Sequence, residues 1–182
     1  MNGAFGKPIV LIGLPGSGKS SVGRRLARKL DLPFIDADAA IEQRVGISIR
    51  DYFERNGEPA FRDVEQVVLQ ELLTVQSTVL ATGGGAVLRD VNREVLHRDG
   101  YVIYLRSSPE DLLTRLRHDT KRPLLQVADP LSRLRDLHAL RDPLYREIAH
   151  AVIDTGRPSV AGLVHTIVSR LTAEGLAPSA PC

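Results

Sequence analysis

The stretch "GLPGSGKS" at residues 13–20 constrains this chain more than any other feature. It fits G-x-x-x-x-G-K-[ST]. It also lies between "IVLI", a compact apolar run bounded by Pro8 and Gly13, and a segment in which Val22, Leu26 and Leu30 recur at helical spacing. Strand, glycine loop and helix in that order make a phosphate cradle. Glycines let successive backbone N–H groups turn inward, and the helix behind them presents its positive N-terminus. Gly16, Ser17 and Gly18 are therefore expected around the phosphates of a nucleoside triphosphate, with Lys19 reaching the β- and γ-phosphates and the Ser20 hydroxyl on Mg²⁺.

The rest of the chain repeats the alternation. Short apolar runs at 34–35, 78–81, 101–105 and 151–153 read as further strands. Ser108, Pro109, Glu110 and Asp111 open one helix, Asp129 and Pro130 open another, and Val160, Leu163, Val164, Ile167, Val168 and Leu171 form the wide stripe of a third. The expected fold is a single α/β domain spanning 1–182, a three-layer α/β/α arrangement with a five-stranded parallel sheet. Residues 39–71, helical and highly charged, and the polar loop 118–129 fall outside the alternation, and the residues after Gly175 look like a frayed tail.

Composition narrows the partners. Of the 24 basic residues 20 are arginine, whose planar fork suits carboxylate and phosphate, yet 22 acids are interspersed and the net charge is only +2. Small anions fit this better than nucleic acid. The one cysteine, Cys182, allows no internal disulfide and no thiolate metal cluster. A cytoplasmic setting is expected, with no membrane association, because "PIVLIGL" is too short to span a bilayer.

A phosphate loop names the donor nucleotide and leaves the acceptor open. A GTPase would need an NKxD-type guanine reader and a DxxG switch, and neither is present. A motor or helicase would need an acid at the end of a later apolar strand, where this chain has Thr82, Gly83, Gly84 and Gly85. Two carboxylates instead close the second strand, Asp36 and Asp38. In an extended segment they share a face, which suits Asp36 to the Mg²⁺ water shell and Asp38 to the acceptor hydroxyl, whose proton it takes. The other possibility for Asp38 is a simple cap on a helix starting near Ala39.

With "GLPGSGKSS", "FIDADAAIEQRVGISIRDYFERNGEPAFRDVE", "ATGGGAV", "RPLL" and "RDPLY" in this order, nearly the whole chain resembles the shikimate kinase family. The resemblance implies a P-loop kinase fold with a helical substrate-binding segment at about 38–71, a lid at about 116–129 and an adenine loop at about 154–159. It implies transfer of the ATP γ-phosphoryl group to the 3-hydroxyl of shikimate, by an enzyme that is mostly monomeric. Family positions for the acceptor fall on Asp38, Arg62, Gly84 and Arg141, with Gly83 and Gly85 beside them. Two arginines can clamp a carboxylate, and Glu65, one turn after Arg62, can hold its guanidinium. Arg122 would swing over the phosphates as a catalytic arginine, while Arg115 and Arg157 would border the adenine. Ser21 stands where the family more often has threonine.

Gluconate kinase and nucleotide kinases share the loop, and a silent nucleotide-binding module is a third reading. The first leaves "RPLL" and the "DYFERNGEPAFRDVE" stretch unused, and sparse aromatics, 4% of the chain, speak against a base pocket for an acceptor nucleotide. Intact Lys19, Asp38, Arg122 and Arg141 speak against the third. The glycines at 83–85 are expected to let the acceptor approach the backbone, so that a bulky residue at Gly84 blocks the acceptor and spares ATP.

Overall fold

The structure, a computed structural model, describes residues 6–117, 127–156 and 158–177. Strands β1 (Ile9–Ile12), β2 (Phe34–Asp36), β3 (Val79–Ala81), β4 (Tyr101–Arg106) and β5 (Ala151–Asp154) form one sheet in the order β2-β3-β1-β4-β5. All neighbouring pairs run parallel. The central strand explains why its sequence is uninterrupted hydrophobe. Val10 and Ile12 pack on one face with Leu96, Leu116, Leu134 and Tyr145, while Ile9 and Leu11 pack on the other with Val22, Leu26, Val164 and Ile167. Both faces of a parallel sheet are covered, so alternation with polar residues has no place there.

Helices α1 (Lys19–Leu30) and α7 (Val160–Ala173) cover the second face, and α4 (Asp90–Asp99), α5 (Pro109–Leu116) and α6 (Pro130–Ile148) cover the first. The expected caps are in place: Ser108 accepts from Asp111 N and Asp129 from Ser132 N. Between β2 and β3 lie α2 (Ala37–Val45) and α3 (Ile49–Leu72), joined by their own small core of Ile41, Phe61 and Val68. Helix α3 is two helices in line, because Gly57 (φ 81°, ψ 170°) leaves the helical region and Pro59 restarts the turn behind it.

One helix has no counterpart in the sequence reading, and one expectation changes. Helix α4 is not evident as a periodic pattern, since Val91, Val95 and Leu96 alternate with charges and Arg89 gives it no side-chain cap. It earns its place through packing: Asn92, fully buried, donates to the Ala86 carbonyl at 3.0 Å, and Arg93 to the Val87 carbonyl at 2.8 Å. Those bonds hold the 3₁₀ turn Ala86–Leu88 that follows the glycine run. The tail is also not frayed at once after Gly175. Leu176 N and Ala177 N both donate to the Leu171 carbonyl, at 2.8 and 3.2 Å, and Ala177 joins the second core. Of the proposed lid, only its two margins at 116–117 and 127–129 lie within the described residues.

Candidate active site

The C-terminal ends of β1, β2 and β3 open onto one cavity of about 1180 Å³, to which the phosphate loop, α2, α3, the glycine run, α5 and α6 all contribute. On the loop side, Gly16 has φ 85° and a Cβ there would lie 2.9 Å from the Leu116 side chain, so a side chain is excluded on both counts. Gly18, also left-handed, begins α1 without any side-chain cap, which leaves the helix N-terminus to be satisfied from the cavity. Lys19 is buried, its Nζ donating to the Gly13 and Leu14 carbonyls at 2.8 and 3.0 Å. Ser17, in the middle of the loop, is buried as well, and Ser20 and Ser21 line the cavity mouth.

The two aspartates are placed differently from a strand pair. Strand β2 ends at Asp36 and α2 begins at Ala37, so Asp38 sits in the first helical turn and the shared-face argument for an extended segment does not hold. Asp36, not Asp38, is the cap: its Oδ1 accepts from the N–H groups of Asp38 and Ala39 at 3.0 and 3.4 Å. Its other oxygen, Oδ2, accepts from the Ser20 hydroxyl at 2.8 Å. The helical turn still brings Asp38 to the cavity, against the glycine run: a Cβ on Gly83 would fall 2.8 Å from Asp38 Oδ1.

The run 83–85 is glycine for lack of space. Gly85 adopts φ −93°, open to any residue, but a Cβ there would lie 2.7 Å from Arg62 Cζ. At Gly84 it would lie 2.8 Å from Pro15 Cδ and 3.3 Å from Arg141 Nη1. Each glycine thus admits one neighbour of the cavity: Asp38, Pro15 with Arg141, and Arg62. The contact with Pro15, a phosphate-loop residue, revises the expectation for Gly84, because a bulky residue there disturbs the donor loop along with the acceptor side.

Arg62 is braced from several directions. Its Nη1 pairs with Glu65 at 2.6 Å, its Nη2 with Glu58 at 3.2 Å, and its guanidinium carbon lies 5.1 Å from the Phe61 ring centre. Burial pushes the Glu65 carboxyl above the ordinary range, and the Asp38 charge adds to this, against the pull of Arg62 and Arg141. Arg141, on α6, has a buried Nε with no acceptor among the described residues. Arg115, on α5, donates to Ser107 Oγ at 3.3 Å, to Thr155 Oγ1 at 3.1 Å and to the Thr155 carbonyl, which fixes α5 to the loop after β5. Arg122 and Arg157 lie outside the described residues.

Sequence reasoning assigns no role to three residues at the site, Pro15, Glu58 and Tyr145. Tyr145, fully buried, donates its hydroxyl to the Gly84 carbonyl at 2.6 Å. The available signal was its spacing, four residues after Arg141 and therefore on the same face of α6.

Fold and cavity define a class: a P-loop kinase of small molecules. The shikimate kinase family profile matches residues 15–172. Shikimate kinase of Paracidovorax citrulli (strain AAC00-1) is 57% identical over 176 residues, 95% of this chain and 96% of its own. That of Ralstonia nicotianae (strain ATCC BAA-1114 / GMI1000) is 52% identical over 168 residues, 92% of this chain and 88% of its own. Among solved structures, shikimate kinase from Acinetobacter baumannii in complex with shikimate gives a TM-score of 0.88 at 45% identity, covering 92% of this chain and 94% of that one. The chain belongs to the shikimate kinase family. Its reaction is transfer of the ATP γ-phosphoryl group to the 3-hydroxyl of shikimate, a step toward chorismate and the aromatic amino acids.

Proposed function

We propose that the cavity divides into a donor half at the phosphate loop and an acceptor half bounded by Asp38, Arg62, the glycine run and Arg141. The observation that carries this division is the seating of Asp38, Arg62 and Arg141 against the three successive glycines. Residues Gly16, Ser17, Gly18, Lys19, Ser20 and Ser21 hold the ATP phosphates, and Arg115 borders the adenine. Arg62 and Arg141 take the acceptor carboxylate, one braced by Glu65 and Glu58, the other carrying a buried N–H without an acceptor among the described residues.

In the transfer, the acceptor 3-hydroxyl oxygen attacks the γ-phosphorus, and the bond to the β–γ bridging oxygen breaks to release ADP. Asp38 orients that hydroxyl and takes its proton as the new bond forms. Lys19 neutralises charge on the phosphates. Ser20 Oγ and Asp36 Oδ2, hard oxygens 2.8 Å apart, suit Mg²⁺, the serine as direct ligand and the carboxylate through water. When bound, that ion offsets charge on the phosphate oxygens. Because Asp36 also caps α2, it fixes the Ser20 hydroxyl to the same helix start that carries Asp38.

The reading extends to a monomer working in the cytoplasm on small molecules, without nucleic acid or membrane partners. Mixed charge and a single cysteine support the setting and the small-molecule partners, the monomer rests on resemblance to the family alone, and no helix among the described residues is long and apolar enough to cross a membrane. ADP release with shikimate, gluconate and nucleoside monophosphates offered in turn tests the acceptor assignment. Turnover with shikimate alone is expected, and turnover with gluconate in its place would overturn it.

A further inference from the structure

Tyr145 is bound into the acceptor half more tightly than packing requires. Its ring lies against Tyr104, with centroids 4.9 Å apart. Tyr104 in turn donates to Asp142 Oδ1 at 2.8 Å, and Arg146 holds the other oxygen of Asp142 at 2.7 Å. The phenol of Tyr145 therefore has a fixed position from which its hydroxyl meets the Gly84 carbonyl at 2.6 Å. Burial raises the pKa of this phenol and the Arg141 guanidinium beside it opposes the rise, so the oxygen faces a cation while its proton faces Gly84.

The peptide between Gly84 and Gly85 is the one such an arrangement controls. A trans peptide holds C=O and N–H in opposite directions, so fixing the Gly84 carbonyl toward Tyr145 turns the Gly85 N–H the other way. Within the run, Ala86 N donates to the Gly83 carbonyl and Leu88 N to the Gly85 carbonyl, at 3.2 and 3.1 Å, whereas the N–H groups of Gly84 and Gly85 have no acceptor among the described residues. Two adjacent glycines leave that peptide free to flip at little conformational cost. Flipped, it would present a carbonyl oxygen to an anionic acceptor where an N–H now stands.

We infer that Tyr145 is a positioning residue for the phosphoryl acceptor: by donating to the Gly84 carbonyl it holds the Gly84–Gly85 peptide with its N–H toward the acceptor half. The inference rests on the acceptor assignment made above. In Tyr145→Phe, which keeps the ring and loses only the hydroxyl, KM for shikimate rises on the order of tenfold, as expected when a buried carbonyl loses its donor. KM for ATP stays within about twofold and kcat changes little, because the peptide contributes binding that the acceptor keeps equally in the ground state and the transition state. Tyr104→Phe, which loosens the same ring pair without touching Gly84, leaves the KM for shikimate in place.

An unchanged shikimate KM in folded Tyr145→Phe overturns the inference, as do an equal rise for ATP or the same shift in Tyr104→Phe. Should Tyr145→Phe fail to fold, the wild-type amide resonance of Gly85 decides. It moves on titration with shikimate if the N–H faces the acceptor, and an unmoved resonance refutes the inference. Wild-type turnover on gluconate alone would instead refute the acceptor assignment. A moved Gly85 resonance with normal kinetics in Tyr145→Phe would refute only the role of Tyr145.

Discussion

Gly85→Ala isolates the proposed acceptor clamp from the rest of the enzyme. The backbone at Gly85 (φ −93°, ψ 3°) accepts alanine, so the substitution acts through its methyl group alone. That methyl would press closest on Arg62 Nη2 and lie 2.6 Å from Nη1 and 2.7 Å from Cζ, against an ordinary contact of 3.4 Å or more, so the guanidinium has to withdraw by about 1 Å. The obstructing atoms are the end of a side chain, and the fold should survive. The clamp should not, because the Glu65 and Glu58 pairs that brace Arg62 leave it no equivalent position. Weakening one charge-assisted bond to the acceptor costs about 1.5–3 kcal/mol, roughly ten- to a hundredfold in affinity. Coupled ADP-release kinetics with each substrate varied in turn should show kcat/KM for shikimate falling by that factor, with KM for ATP unchanged and the melting temperature nearly so. A shikimate KM equal to wild type would refute the steric reasoning. An equal rise for both substrates would refute the separation of the two halves.

Asp38→Asn should retain ATP affinity by calorimetry while turnover falls by about 10²-fold or more, since the amide cannot take the proton; wild-type turnover would remove Asp38 from the chemistry. Arg141→Ala should raise KM for shikimate far above any change for ATP, and equal losses would count against a carboxylate clamp. A last expectation concerns the far end of the sheet, where His150 Nδ1 accepts from Val102 N at 3.0 Å and the ring stacks on His97. Burial, His97 and Lys7 hold its pKa below the usual 6.5, against a smaller upward pull from Glu174. The stability it contributes is therefore full above about pH 6.5 and is lost as pH falls toward the folded-state value. Thermal melts from about pH 7.5 down to about pH 5 should show this loss, with a shallower slope in His150→Gln, and parallel slopes would exclude His150 as the titrating group.

What could be read from sequence follows the range of the interactions involved. The phosphate loop and the strands carry their signal locally: glycines at fixed offsets and runs such as "IVLI" that must be buried on both faces. The caps Ser108 and Asp129 are equally local. Helix α4 was not legible because Asn92 and Arg93 stabilise it against carbonyls of the preceding turn, contacts with no periodic trace. The start of α2 was misplaced because Asp36 and Asp38 are chemically alike, and the choice between them was made by Ser20, sixteen residues earlier. The residues proposed for the acceptor stand out by motif order, but the reason for the triple glycine does not. Asp38, Arg62 and Pro15 with Arg141 come from different elements and meet only in the folded chain.

The contact of Pro15 with Gly84 carries a consequence for how such an enzyme can diversify. The phosphate loop and the glycine run, proposed here to grip the nucleotide and face the acceptor, share a seam with a Cβ-to-Cδ clearance of 2.8 Å, too little for even one methyl group. A lineage exploring new acceptors cannot enlarge position 84 while keeping Pro15 where it is. The two positions should change together, and a combinatorial library that randomises 84 alone samples mostly broken donors. Pairing it with smaller residues at 15 opens the acceptor side to selection.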